Sequence, residues 1–135
     1  MKDETIKFFC ELNLPVVNLY GLSETAGAVT IQEFPSAALY KAGQPLPGSQ
    51  IQIYNVNTEG VGEVCIKGRN VFMGYLNNDK ATWDVFDSEG YFHTGDRGYL
   101  DEEDNLVLTG RIKELIITSG GENVAPTPIE MILRA

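Results

Sequence analysis

The spacing of apolar positions changes several times along the chain. Ile6, Phe9 and Cys10 fall at i, i+3 and i+4, the one-sided stripe of a helix, and Pro15 helps to end it. Residues 16–19, Val-Val-Asn-Leu, predict a short buried strand that opens into a glycine turn, with Gly21 and Gly27 bracketing a loop. Such strand-to-loop junctions are where open α/β sheets commonly carry ligand-binding groups. Residues 31–47 are irregular, broken by Pro35, Pro45 and Pro47. Alternation then returns: Ile51 and Ile53 against Gln50 and Gln52, and Val64 and Ile66 against Glu63, Cys65 and Lys67, the period of half-buried strands. Residues 79–86 predict a short helix carrying Trp83. Tyr99-Leu100 and Leu106-Val107-Leu108 flank the polar residues 101–105, a hairpin connection. A second hairpin is predicted with Ser119-Gly120-Gly121 at its turn, between Leu115-Ile116-Ile117 and Asn123-Val124. At the end, Thr127-Pro128-Ile129-Glu130 supplies a cap residue, a first-turn proline and a glutamate. Ile129, Ile132 and Leu133 follow at helical spacing, but the chain stops at Ala135, barely two turns in. A helix that short has little face to bury, so the expectation is a truncated piece of a longer protein.

Composition narrows the picture. At 135 residues, 43% hydrophobic and 21% charged, the chain can bury one ordinary core. A net charge of −9 argues against a nucleic-acid footprint and against simple attraction to anionic membranes. Cys10 and Cys65 form no C-x-x-C pair, so a zinc or redox motif is unsupported and two small buried thiols are expected. No apolar run reaches the length of a membrane span and the charged N-terminus lacks a signal peptide's apolar stretch. The expected setting is the reducing cytoplasm.

Three short segments carry candidate chemistry. In Tyr20-Gly21-Leu22-Ser23-Glu24 an aromatic face can stack on a base, a hydroxyl can bond a phosphate oxygen and a carboxylate can hold a divalent cation. Taken alone, the pentapeptide reads rather as an ordinary polar loop with a packed tyrosine. In Tyr91-Phe92-His93-Thr94-Gly95-Asp96 the aspartate can accept from both hydroxyls of a ribose, and alone it reads as a turn residue. The single histidine, His93, is read as structural or exposed. In Gly110-Arg111 the guanidinium can hold a phosphate or ribose oxygen, and alone it is a surface arginine. Asp101, Glu103 and Asn105 imitate the start of a calcium loop, but Leu106 and Ile112 stand where glycine and glutamate are required.

In their order and spacing, and with Gly110-Arg111-Ile112-Lys113-Glu114 running into Thr118-Ser119-Gly120-Gly121-Glu122-Asn123-Val124-Ala125-Pro126, these segments resemble the adenylate-forming superfamily. Within it the wording is similar to the long-chain acyl-CoA synthetases, especially the bubblegum type. The stretches Gly62-Glu63-Val64-Cys65-Ile66-Lys67-Gly68 and Gly74-Tyr75-Leu76-Asn77 match two further family segments taken as mainly structural. The resemblance implies roles for individual residues. Tyr20 would stack on adenine, Ser23 would touch the phosphates and Glu24 would bind Mg²⁺. Asp96 and Arg111 would hold the ribose. Lys113 would be the hinge, where relatives often have aspartate. Gly120 and Gly121 would form the turn that lines the path of the thiol.

The implied fold is α+β and β-rich: residues 1–110 as the end of the large AMP-binding N-terminal domain, a distorted β-barrel subdomain, residues 111–113 as the hinge, and residues 114–135 as the start of the small C-terminal domain. The implied reaction joins a long-chain fatty acid to coenzyme A through an acyl-adenylate made with ATP and Mg²⁺. The family's phosphate-cradling loop and its adenylation lysine have no match here, so the chain alone is expected to be inactive, and the longer enzyme could associate peripherally with membranes. The alternatives carried are another adenylate former, such as an aryl-CoA ligase or an adenylation domain, and a non-enzymatic product that binds a partner.

Overall fold

A computed structural model describes residues 3–14, 16–33, 41–114, 116–117 and 123–124, and the single positions 126, 129 and 133. The expected hairpin turn at Gly120 and Gly121 and most of the capped segment from Thr127 lie outside the described residues.

Helix α1 (Asp3–Glu11) carries the predicted stripe. It ends at Glu11, four residues before Pro15, and Asn13 then turns left-handed (φ 56°). There the N–H of Asn13 returns to Cys10 O and that of Leu14 to Phe9 O, both at 3.0 Å, which satisfies carbonyls the helix end would leave open. Cys10 on this helix is exposed and only Cys65 is buried, both as free thiols. The expectation of two buried cysteines is therefore wrong for Cys10.

Seven strands follow: β1 (Leu19–Leu22), β2 (Gly27–Ile31), β3 (Lys41–Pro45), β4 (Ser49–Tyr54), β5 (Gly62–Gly68), β6 (Phe92–Leu100) and β7 (Leu106–Arg111). A five-residue helix, α2 (Asp79–Trp83), separates β5 from β6, and a two-strand ribbon, β8 (Ile116–Ile117) with β9 (Asn123–Val124), comes last. The main sheet runs β1-β2-β3-β7-β6-β5-β4 with every pairing antiparallel. Among the described residues its edge strands β1 and β4 are not paired with each other, so the sheet is open.

Two predicted features shift. The strand expected at residues 16–19 begins at Leu19, and Gly21 lies inside it instead of in a turn. The irregular stretch after residue 31 contains β3, which the sequence hides behind Gly43 and Pro45. Backbone crowding explains Gly21: a Cβ there would strike the carbonyl of Gly27 on β2. At Gly43 the chain has φ +89° and a Cβ would meet the backbone of Ile31, a conformation and a spacing only glycine accepts.

The core is Tyr20, Val29, Ala42, Val64, Ile66 and Leu106. Val29, Val64, Ile66 and Leu106 are completely buried, each stabilising by roughly 1.5–3 kcal/mol. Beside it Phe72, Phe86 and Phe92 stack with centroids 5.4–5.8 Å apart and fasten the α2 segment to β6. No helix among the described residues is long and apolar enough to cross a membrane.

The residues that imitate a calcium loop are used otherwise. Asp101 Oδ1 accepts from the N–H groups of Glu103 and Asn105, both at 2.9 Å, and Oδ2 pairs with Lys41 Nζ of β3 at 2.7 Å. Lys41 holds the Asp101 carboxyl well below the usual carboxylate range, and those two N–H groups add to it. A carboxyl depressed in the folded state contributes stability above its unfolded value, near pH 4, which is lost as the pH falls towards the folded value. Asp101→Asn should therefore lose stability less steeply than the wild type below about pH 4. Urea titrations across that range check this, and parallel slopes would contradict it.

Candidate functional site

Residues distant in sequence meet at Asp96. It lies in β6, directly opposite Arg111 of β7. Facing residues of an antiparallel pair share a face, and Arg111 Nε lies 3.1 Å from Asp96 Oδ1. The hydroxyl of Tyr20, from β1, donates to Asp96 Oδ2 at 2.7 Å across 76 positions of sequence. Three strands separate β1 from β6 in the sheet, so this bond exists only because the sheet coils strongly.

Asp96 and Tyr20 are 6% and 8% exposed. Burial pushes the Tyr20 phenol far above its ordinary value; Thr94 opposes this and the Asp96 carboxylate adds to it. The phenol is thus a fixed donor that leaves Asp96 as the acceptor. Around Asp96 the backbone is pinned as well. Its N–H donates to Thr94 Oγ1 at 3.0 Å, Thr94 Oγ1 donates to Val64 O at 2.7 Å, and the N–H of Gly95 donates to Glu63 Oε1 at 3.0 Å. Glu63, taken from sequence as structural, therefore holds the Thr94-Gly95-Asp96 segment.

The other half of the site is a 3₁₀ turn, Ser23–Thr25, between β1 and β2. Thr25 is buried and its hydroxyl staples the turn: it accepts from Leu22 N–H at 2.9 Å and faces Gly27 O at 2.8 Å. Ser23 is exposed and Glu24 half-buried. Glu24 O accepts from Phe72 N–H at 2.7 Å, and Glu24 Oε1 accepts from the Tyr75 hydroxyl at 3.0 Å. Tyr75 thus positions the acid, a role invisible in sequence because 51 residues separate the pair. Burial, and then Glu24, raises the Tyr75 phenol above its ordinary value, which keeps it a donor.

Gly21, Leu22, Ser23, Glu24, Gly27 and Arg111 line an open cleft of about 630 Å³, within the range of small-molecule sites. Tyr20 and Asp96 are buried and do not line it. Arg111, with 62% of its side chain exposed, reaches from Asp96 to the cleft. Lys113 is exposed in a second 3₁₀ turn, Ile112–Glu114, directly after β7. The structure thus brings Ser23, Glu24 and Arg111 to one cleft, joins Arg111 to Asp96 and Asp96 to Tyr20, and leaves Lys113 in the turn after β7, outside the cleft lining. A hydroxyl, a carboxylate and a guanidinium on the wall, with a fixed acid joined to the guanidinium, form a site suited to a polyhydroxyl anion such as a nucleotide.

The comparisons agree with that class. The AMP-binding enzyme family matches residues 1–76, more than half of the chain, and the chain belongs to that family. It is 46% identical over 134 residues to the long-chain-fatty-acid–CoA ligase ACSBG2 of Mus musculus, covering 99% of this chain and 20% of the relative. It is 49% identical over 130 residues to the long-chain-fatty-acid–CoA ligase ACSBG1 of Bos taurus, covering 96% of this chain and 18% of the relative. Among solved structures it is similar to the O-succinylbenzoate coenzyme A synthetase of Bacillus subtilis in complex with ATP and magnesium ion. That likeness has a TM-score of 0.85 at 34% identity, over 96% of this chain and 28% of the other. The chain spans about a fifth of the length of the curated relatives it matches.

Proposed function

We propose that this chain forms the ribose- and metal-facing wall of an ATP site in an enzyme that joins a long-chain fatty acid to coenzyme A. The observation that carries the proposal is the Tyr20–Asp96–Arg111 contact, whose arginine lines one cleft with Ser23 and Glu24. A carboxylate has about four acceptor positions. Tyr20 and Arg111 each approach one Asp96 oxygen, so acceptor capacity remains for the two hydroxyls of a ribose. Arg111 offers its outer guanidinium donors to the same sugar or to phosphate. Ser23 presents a hydroxyl donor to phosphate oxygens, and Tyr20 borders the adenine while fixing Asp96.

Glu24 fits a magnesium ion: it is a half-buried hard oxygen donor, with one oxygen already oriented by Tyr75. Bound there with the nucleotide, Mg²⁺ would neutralise phosphate charge. In the same proposal Lys113 is the hinge after residues 1–110, and Gly120 and Gly121 shape the approach of the coenzyme A thiol. We place the reaction in the cytoplasm, with membrane contact made by parts of the protein other than these strands.

A chimera tests the substrate class. This chain should replace the matching fifth of a long-chain-fatty-acid–CoA ligase and support thioester formation from a long-chain fatty acid. In that chimera Glu24→Ala should lower activity at least about a hundredfold by removing a charged transition-state contact. A chimera active only on benzoates or amino acids would point to another adenylate-forming enzyme. Partner binding by the chain that survives Asp96→Ala and Arg111→Ala, with no nucleotide binding, would favour a non-enzymatic role.

A further inference from the structure

A second group of reactive side chains lies on the opposite face of the sheet from the core residues Val64 and Ile66. Glu63 and Cys65 are two apart on β5, so they point to the same side, and His93 of β6 stands directly opposite Cys65. Cys65 Sγ is 3.5 Å from His93 Nδ1, and the same nitrogen is 2.9 Å from Glu63 Oε2. The three donor atoms lie within 4.8 Å of one another. One imidazole nitrogen thus faces a sulfur and a carboxylate oxygen together. From the usual zinc–ligand bond lengths, a tetrahedral centre separates its sulfur and nitrogen by about 3.5 Å and its nitrogen and oxygen by about 3.3 Å. The first distance already fits, and the second needs an opening of a few tenths of an ångström.

The other imidazole nitrogen is also provided for. His93 Nε2 is 3.8 Å from Asp87 Oδ2, while Asp87 Oδ1 is anchored by the N–H groups of Glu89 (2.9 Å) and Tyr91 (2.8 Å). Metal-binding histidines regularly turn their second nitrogen to a carboxylate, which orients the ring and raises its basicity. Tyr54 packs edge-on against the ring at 5.1 Å and limits its rotation. The site is reachable, because the side chains of His93 and Glu63 are 22% and 17% exposed.

We propose that Glu63, Cys65 and His93 form a binding site for a zinc-class divalent cation, separate from the nucleotide cleft. A thiolate, an imidazole and one carboxylate favour zinc, cobalt or cadmium over the hard ions magnesium and calcium. Water would supply the fourth ligand, since the Glu63 and His93 side chains are partly exposed. Cation binding would replace the hydrogen bond between Glu63 and His93 and would expel the Cys65 proton. That thiol is otherwise inert: burial, with the negative charge of Glu63 and Asp87, pushes it up to about 12. A bound divalent ion reverses that electrostatic balance. Glu63 Oε1 holds the N–H of Gly95, next to Asp96, so a cation on Oε2 would also stiffen the segment that carries the acid of the cleft.

The test is a titration of the reduced, metal-free chain with Co²⁺, read by the sulfur-to-cobalt charge-transfer band. The wild type should bind one equivalent with that band, and Zn²⁺ should abolish it by displacement. Cys10→Ser should leave the band intact, Cys65→Ser should remove it, and His93→Gln should weaken binding at least about tenfold. A folded wild type without a thiolate band overturns the proposal and leaves the trio as a hydrogen-bonded strut. So does a band that persists in Cys65→Ser or disappears in Cys10→Ser, since exposed Cys10 would then be the ligand. If Cys65→Ser fails to fold, Glu63→Gln and His93→Gln decide: unchanged Co²⁺ affinity in both overturns it.

Discussion

Gly21→Ala is expected to destabilise the chain by roughly 3 kcal/mol or more, beyond the usual cost of overpacking. The added methyl would strike the carbonyl of Gly27 and approach the Cα of Ala28 to 2.9 Å. These are backbone atoms of the paired strand, so no rotamer change relieves the clash. The β1–β2 pairing must open or slide. The pairing is already irregular here, with a register shift between Tyr20 and Gly21. Because the 3₁₀ turn at Ser23–Thr25 closes this hairpin, the damage passes to Ser23, Glu24 and the reach of Tyr20. Chemical denaturation measures the loss. A variant as stable as the wild type would show that β1 does not lie this close to β2.

Asp96→Ala is expected to act on both stability and ligand binding. It leaves the Tyr20 hydroxyl buried without its acceptor, which costs roughly 1–3 kcal/mol. The mostly exposed Arg111 adds under about 1 kcal/mol, because solvent screens that pair. On a ribose the loss is larger in proportion, since two hydroxyls lose a charged acceptor. Affinity for an adenylate should fall about 10–100-fold. Tyr20→Phe separates the two effects: it keeps the carboxylate for the sugar and removes only the internal donor. It should therefore cost stability with a smaller loss of affinity.

Much of this architecture was legible in the chain itself, for local reasons. Ile51 and Ile53, and Val64 and Ile66, alternate with polar neighbours because one face of β4 and β5 is buried. The polar run at 101–105 turns because Asp101 can cap its own loop. Strand β3 was not legible: Lys41-Ala42-Gly43-Gln44-Pro45 has weak strand propensity and is held by pairing to β2 and β7. The early start predicted for β1 followed Val16 and Val17, whereas the pairing with β2 begins at Leu19, opposite Ile31.

The candidate residues Tyr20, Ser23, Glu24, Asp96 and Arg111 were legible as chemistry within short motifs. Their convergence was not, because it depends on the coiling of the sheet. The segments containing Tyr75 and Glu63 were read as mainly structural, and what each residue holds was not legible because it acts on a motif more than 30 residues away. The Cys65–His93 contact likewise comes from strand register and from no spacing visible along the chain.

The central claim is that Asp96 and Arg111 form a ribose site on this chain. Calorimetric titration of the folded chain with a non-hydrolysable acyl-adenylate analogue tests it most directly, with Asp96→Ala and Arg111→Ala alongside. Arg111→Ala keeps the comparison sound, because so exposed a side chain can be removed with little loss of fold. The wild type should bind, and both variants should bind at least about tenfold more weakly. A folded wild type that does not bind, or variants that bind as tightly as the wild type, would contradict it.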